Sequence, residues 1–313
     1  MNVIDSKTIA RAASFAEWIN AMEQAMKVSL SNEVVMPQRL HLDYGKDTFL
    51  VMPCITREYW VTKLVSFCPG NKDSGLPSIY GTIVMSRTKT GETLAVMEGS
   101  EITALRTAAV SALGIKHLAP ENATTLGIVG TGFQGVQQAR FACSVRNIRR
   151  VTVFDRSDRS VSRFLDAFQA DFPRIGVMVA ENVEELCAGS EIIITATNSK
   201  DPVFPDTSAL FEGKTFVGIG SYKPDCREYP DNFFNHIDQI FVDTLQGKNE
   251  SGDLLYPIQK RLIAERNIYP LGSLIEGTAA LSAKPTKFYK TVGNALFDLY
   301  AAKLIYEKTS GCS

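Results

Sequence analysis

Gly130-Thr131-Gly132-Phe133-Gln134-Gly135 is the stretch of this chain whose residue types and spacing point most directly to chemistry. A G-x-G-x-x-G run permits a tight turn at its first glycine, close approach of a pyrophosphate at its second and close helix packing at its third. The helix-like run that follows, Val136–Cys143, opens with N–H groups that turn a partial positive charge toward such phosphates. Asp155 ends the next apolar run, Val151–Phe154, where a carboxylate can accept both ribose hydroxyls of an adenosine. Strand, glycine turn, helix, strand and acid in this register predict a dinucleotide site. Arg106 is a second kind of candidate. It stands alone in the Ala-rich run Ile102–Leu113, either lying along the surface or placed to reach a cleft.

The elements that must hold these residues fall into two textures. Before Pro120, residues 1 to about 33 read as a helical entry, with Phe15, Trp18, Ile19, Met22 and Met26 on one face. Short β-rich runs follow at Thr48–Met52, Trp60–Phe67, Ile79–Ser86 and Thr93–Met97, separated by turn signals, and predict a mostly antiparallel sheet. Ser100 can cap a helix that runs on to Pro120. After Pro120 the chain alternates. Strands are expected at Leu126–Val129, Val151–Phe154, Val177–Val179, Glu191–Ala196, Thr215–Ile219 and Gln239–Val242, with helices such as Ser160–Phe172 and Val183–Ala188 between them. That alternation predicts a Rossmann-type doubly wound parallel sheet beside an α+β domain. Later helices are expected at Pro257–Ala264 and Gly293–Glu307, the last showing Leu296, Leu299, Tyr300, Lys303 and Leu304 on one face.

Composition narrows the function classes. Hydrophobic residues make up 45% and charged residues 21%, with a net charge of −1 and no long run of one sign, which argues against nucleic-acid and membrane-surface partners. No apolar run reaches the ~18 residues of a membrane-spanning helix, and the N-terminus lacks a signal-peptide layout. Cysteines 54, 68, 143, 187, 226 and 312 form no Cys-x-x-Cys pair, and the three histidines stand apart, so no metal site is expected. These features predict a cytoplasmic enzyme of small-molecule metabolism.

With its elements placed, the chain resembles the ornithine cyclodeaminase/mu-crystallin family along essentially its whole length. The resemblance rests on Met36-Pro37-x-Arg39, Lys63-Leu-Val-Ser-Phe-x-Pro-Gly-Asn71, Thr103-Ala-Leu-Arg-Thr-Ala-Ala109 and the glycine motif. It continues through Thr195-Ala-Thr-Asn198, Gly218-x-Gly-Ser-x-x-Pro-Asp-x-Arg-Glu228 and Gly293-x-Ala-x-x-Asp-x-x-Ala-Ala-Lys303. It implies a homodimer whose substrate and dimerisation domain is residues 1–119 joined by the C-terminal helix 293–313, with a Rossmann domain over 120–292. It also implies that Arg39, Lys63 and Arg106 hold the α-carboxylate of a small amino or imino acid and the group at its α-carbon, with Val292 and Gly293 beside them. An arginine suits that task through two parallel charge-assisted bonds, each worth roughly 1.5–3 kcal/mol. Lys63 can hydrogen-bond the carboxylate or protonate a reacting nitrogen, the second more readily if neighbouring cations lower its pKa. The nucleotide is expected on Gly130–Gly135, Asp155, Arg156, Thr195, Ala196, Thr197 and Ser221. Asp155 favours NAD(H) over NADP(H), against the nearby Arg156 and Arg159.

One segment departs from the family's cyclodeaminase pattern. Where those enzymes carry an aspartate and, four residues on, a lysine, this chain has Tyr222 and Cys226. A phenol of reference pKa ~10 is a poor base near neutrality. The expected function is therefore an NAD(P)H-dependent oxidoreductase acting on the C–N bond of an amino or imino acid. A cyclodeaminase-type lyase with bound NAD and a nucleotide-dependent small-molecule binding protein are the alternatives.

Overall fold

The computed structural model describes residues 1–311, so Cys312 lies outside the described residues. The chain forms two compact units, one of Met1–Thr107 with Gly293–Ser313 and one of Ala108–Val292.

The first unit opens with β1 (Asn2–Ile4), α1 (Ser6–Ala12) and α2 (Phe15–Val28). Helix α2 starts at a capping box: Ser14 Oγ accepts the Glu17 N–H at 3.4 Å, and Glu17 Oε2 accepts the Ser14 N–H at 2.8 Å. Its Trp18, Ile19, Met22, Ala25 and Met26 are buried at helical spacing. Strands β2 (Leu40–Tyr44), β3 (Asp47–Ile55), β4 (Tyr59–Phe67), β5 (Ile79–Arg87) and β6 (Thr93–Glu98) follow, and then α3 (Gly99–Leu118), whose residues from Ala108 onward are counted with the second unit. The sheet order is β1-β6-β5-β4-β3-β2, antiparallel except for the parallel β1–β6 pair. The N-terminal segment is thus not helical throughout. Asn2–Ile4 pairs with Ala95–Met97 as an edge strand too short to show a period of its own. Strand β2, also unread in the sequence, is the opposite edge, and all its side chains are exposed.

Pairing across the sheet sets its two faces. Met52 faces Lys63, which faces Ile83, while Cys54 faces Val61, which faces Met85, and all six are buried. On the other face Leu40, Leu42, Phe49, Leu64 and Tyr80 are exposed.

The second unit runs through β7 (Thr125–Val129), α4 (Phe133–Val145), β8 (Arg150–Phe154), α5 (Asp158–Asp171), β9 (Gly176–Val179), α6 (Val183–Ala188), β10 (Ile192–Thr195) and β11 (Thr215–Gly218). It continues with β12 (Ile240–Val242), α7 (Gly252–Gln259), β13 (Ile268–Pro270), α8 (Leu271–Ile275) and β14 (Lys287–Lys290). All its strands pair in parallel in the order β13-β12-β14-β11-β10-β7-β8-β9. From β9 to β14 this is the doubly wound dinucleotide-binding order, with the direction of winding reversing between β7 and β10. Residues 287–290 show no strand signal in the sequence, yet β14 lies inside the sheet. Its Phe288 and Tyr289 are fully buried. The helix expected at Pro257–Ala264 instead covers Gly252–Gln259 with Pro257 inside it, because burial of Leu254 and Pro257 outweighs the lost hydrogen bond.

The last helix, α9 (Ala295–Thr309), belongs to the first unit and packs on α2, β3 and β4. Asn294 caps it, its Oδ1 accepting the N–H groups of Leu296 at 3.0 Å and Phe297 at 3.1 Å. Buried positions surround its N-terminal half and include Asp298.

Candidate active site

In the first unit the buried face of β4 presents Lys63, α3 presents Arg106 and α9 presents Asp298. Lys63 is 2% exposed, Arg106 5% and Asp298 0%, so their charges must be settled among themselves. Lys63 Nζ donates to Asp298 Oδ1 at 2.9 Å and lies 2.8 Å from Oδ2. It also reaches Thr103 Oγ1 at 3.4 Å. Arg106 Nε donates to Asp298 Oδ1 at 3.2 Å. Arg39 Nη2 donates to the Gly293 carbonyl at 2.7 Å.

Gly293 is needed at its position. Its φ is +72°, and a Cβ there would collide with the Arg106 guanidinium. Arg39, Lys63, Arg106 and Gly293, far apart in sequence, therefore meet in one cluster. Burial pulls the Lys63 ammonium down to about 8, with Arg106 adding to the effect and Asp298 opposing it. For Asp298 burial acts to raise the pKa, but Lys63 and then Arg106 outweigh it and hold the carboxyl below its ordinary value. The cluster is largely buried and cationic, and the pKa of its lysine is drawn toward neutral pH.

The sequence carried Asp298 within the family motif Gly293-x-Ala-x-x-Asp but assigned it no role in the site. The face read from Leu296, Leu299, Tyr300, Lys303 and Leu304 passes over it. Its signal was available: a lone acid among Ala, Leu and Phe in the first turns of a helix apolar nearly all round. Val292 belongs to the other unit, where its N–H donates to Asp243 Oδ2 at 3.2 Å.

The nucleotide-directed residues of the second unit all stand at the C-terminal ends of its parallel strands. Gly130, just beyond β7, has φ +96°, and a Cβ on it would meet the Ala196 carbonyl at 2.6 Å. Gly135 lets α4 close onto the Gly130 carbonyl, while a Cβ at Gly132 would meet nothing within 4 Å. Gly132 is the N-cap of α4 with no side-chain cap, which leaves the opening N–H groups of the helix to a ligand. An uncapped helix start behind an open glycine fits a dinucleotide pyrophosphate. Thr131 is buried, and Phe133 is exposed.

Asp155 does more than the motif suggests. Its Oδ2 accepts the Thr131 N–H at 2.7 Å and the Thr131 hydroxyl at 3.1 Å, and its Oδ1 accepts the Ser157 N–H at 2.9 Å. The acid therefore ties the glycine turn to β8. Gln134 is half-buried, and Arg156 beside Asp155 is exposed. At the end of β10, Thr195 is buried, and the next residue's N–H, that of Ala196, donates to the Val129 carbonyl at 2.8 Å. Thr197 donates its N–H and hydroxyl to Glu228 Oε1, both at 2.8 Å. Ser221 donates to the Cys226 carbonyl at 2.5 Å and pairs with Ser251 Oγ at 3.0 Å.

In the departing segment Tyr222 is 38% exposed, with Lys223 Nζ 5.7 Å from its ring centre. Cys226 is buried, and burial pushes its thiol up. Asp225 is an exposed acid, 3.3 Å from Lys200, and the hydrogen bond to that lysine lowers its pKa. Among the described residues no group of three or more His, Cys, Asp or Glu side chains could hold a metal ion.

The profile of the Ornithine cyclodeaminase/mu-crystallin family matches residues 2–313. The Delta(1)-pyrroline-2-carboxylate reductase of Bacillus cereus (strain ZK / E33L) is 32% identical over 98% of this chain and 96% of its own. The structure of Thermococcus litoralis Delta(1)-pyrroline-2-carboxylate reductase in complex with NADH and L-proline superposes with a TM-score of 0.92. It is 30% identical and covers 100% of this chain and 98% of its own. An archaeal alanine dehydrogenase dimer with bound NAD gives a TM-score of 0.91 at 25% identity, covering 100% of this chain and 97% of its own.

Proposed function

The chain belongs to the ornithine cyclodeaminase/mu-crystallin family, and from that premise we propose that it reduces the C=N bond of a small cyclic imino acid of the Δ1-pyrroline-2-carboxylate type, using NADH. It is an NAD(P)H-dependent oxidoreductase acting on the C–N bond of small amino or imino acids. The observation that carries imine reduction is the buried lysine–arginine pair around Asp298, with Lys63 drawn down to about 8.

The nicotinamide, when bound, supplies the hydride that reaches the imine carbon. The residues of the cluster do the rest. Arg39 and Arg106 hold the substrate carboxylate, orienting the ring and fixing which face of the C=N bond reacts. Lys63 Nζ gives its proton to the ring nitrogen as that nitrogen gains the electron pair of the C=N bond, and then recovers a proton from solvent. Asp298 fixes both cationic groups by charge-assisted bonds and favours the protonated form of Lys63. Asp155 supports NAD(H), since its carboxylate repels a 2′-phosphate, with Arg156 acting in the opposite sense.

The functional unit we propose is a homodimer. The exposed apolar stripe Leu40, Leu42, Phe49, Leu64 and Tyr80 supports a second copy seated on the outer face of the first unit's sheet, in keeping with the dimeric alanine dehydrogenase relative. Among the described residues no helix is long and apolar enough to cross a membrane. The free cysteines support a reducing compartment such as the cytoplasm.

Purified protein with NADH or NADPH, offered cyclic imines and keto acid–amine mixtures, tests the reading. A cyclic imino acid should oxidise NADH in proportion to the amino acid formed. Ornithine with catalytic NAD should yield no proline and little ammonia, because a phenol, Tyr222, stands where the cyclodeaminases carry an aspartate. Stoichiometric proline from ornithine at constant nicotinamide absorbance would overturn the assignment.

A further inference from the structure

The carboxylate of Glu228 is fully buried and has no part in the chemistry above. Its two oxygens gather four donors from two loops of the nucleotide-directed unit. Oε1 accepts the N–H and the hydroxyl of Thr197, both at 2.8 Å. Oε2 accepts the Thr195 hydroxyl at 2.8 Å and the Gly220 N–H at 2.9 Å. Thr195–Thr197 leaves β10 and Gly220 follows β11, so a single side chain ties the C-terminal ends of two adjacent strands.

The first of these loops is also a wall of the glycine turn. A Cβ on Gly130 would meet the Ala196 carbonyl at 2.6 Å and Thr197 Cγ2 at 3.2 Å. Glu228 is itself held in place. Asp253 Oδ1 accepts the N–H groups of Glu228 at 2.8 Å and Tyr229 at 3.2 Å. Lys290 Nζ, at the end of β14, lies 3.5 Å from Asp253 Oδ2. Burial of a carboxylate is tolerated only when its lone pairs are filled and its surroundings fixed, and both conditions are met.

Resting on the reading that this unit binds a nicotinamide dinucleotide, we propose that Glu228 is a positioning residue for its nicotinamide half, setting the spacing of the Thr195–Thr197 and Gly220–Ser221 loops. Winding reverses between β7 and β10, so the adenosine half belongs to the β8 side with Asp155 and the nicotinamide half to the β10–β11 side that Glu228 braces. Glu228 touches no reacting atom in this account. It acts through the loops.

The test compares NADH with ADP-ribose, which lacks the nicotinamide, as ligands of Glu228→Gln and of the parent protein. An amide offers one acceptor oxygen where the carboxylate offers two, so either the Thr197 N–H or the Gly220 N–H is left facing an NH2 group instead of an acceptor. NADH should then bind about tenfold more weakly or worse, while ADP-ribose stays within about twofold. Amide exchange at Thr197 or Gly220 should quicken in the variant without nucleotide. Unchanged NADH affinity would overturn the proposal, as would equal weakening of both ligands, the mark of a generally loosened unit. If Glu228→Gln does not fold, Thr195→Val removes one donor while keeping the carboxylate and is judged by the same two outcomes. A parent protein that binds neither NADH nor NADPH would overturn the underlying reading, and this proposal with it.

Discussion

Lys63 on β4 and Asp298 on α9 form a buried ion pair at 2.8 Å although 235 residues separate them in the chain. Asp298 is the only carboxylate bonded to Lys63 among the described side-chain contacts, and it also receives Arg106 Nε. Asp298→Asn should lower the Lys63 pKa further, because the charge that raises it is gone. The activity maximum should move to lower pH, and kcat near neutrality should fall. A kcat–pH profile of the variant that overlays the parent's would show that Lys63 is not the proton donor. Removal of one member of a buried ion cluster also costs about 3–5 kcal/mol of stability, read from denaturant midpoints.

Arg106→Ala should lower kcat/KM by about a hundredfold or more while leaving NADH affinity intact, because its proposed partner is the substrate carboxylate. Arg106→Lys should recover little, since an ammonium lacks the two-pronged fork. Steady-state kinetics beside nucleotide titration separates the two effects. Near-parental turnover in Arg106→Ala would make the arginine a packing residue.

The depressed Lys63 pKa also sets a pH dependence of stability. The native lysine loses its proton at about 8 and the unfolded one near 10.5. Between those values the unfolded chain binds more protons, so this group's contribution to stability rises with pH across that window. Lys63→Met should flatten the slope of unfolding free energy against pH there. An unchanged slope would mean that Lys63 titrates normally.

Cofactor choice turns on Asp155. The parent should bind NADH about tenfold more tightly than NADPH. Asp155→Ser should narrow that preference but weaken both nucleotides, because the same carboxylate holds the Thr131 N–H and hydroxyl. Fluorescence titration gives the four dissociation constants. Tighter NADPH binding by the parent would show that Arg156 and Arg159 prevail.

Dimer formation through the outer face of the first unit's sheet predicts that Leu42→Glu combined with Leu64→Glu yields a monomer in sedimentation velocity. Both side chains are exposed, so the protomer should keep its fold. A dimer that survives both charges would place the interface elsewhere.

The residues from Gly130 to Asp155 could be read without a structure because their geometry is local. A glycine turn, the helix it opens and the acid ending the next strand lie within one β–α–β unit, where hydrogen-bond periodicity and backbone sterics act over a few residues. Helix α2 was equally legible, since burial of one face leaves its period in Trp18, Ile19, Met22 and Met26. The sequence also marked Lys63 and Arg106 through family resemblance, but not what they face. Asp298 joins them only because α9 folds back onto β3 and β4. No periodicity encodes a contact across 235 residues. The same holds for β14, which becomes a strand by filling the place between β11 and β12. It holds too for Glu228, whose role depends on two loops meeting over its carboxylate. Local chemistry is written along the chain, whereas the partners that fill a buried charge's lone pairs are chosen by packing, and only the tertiary structure decided them.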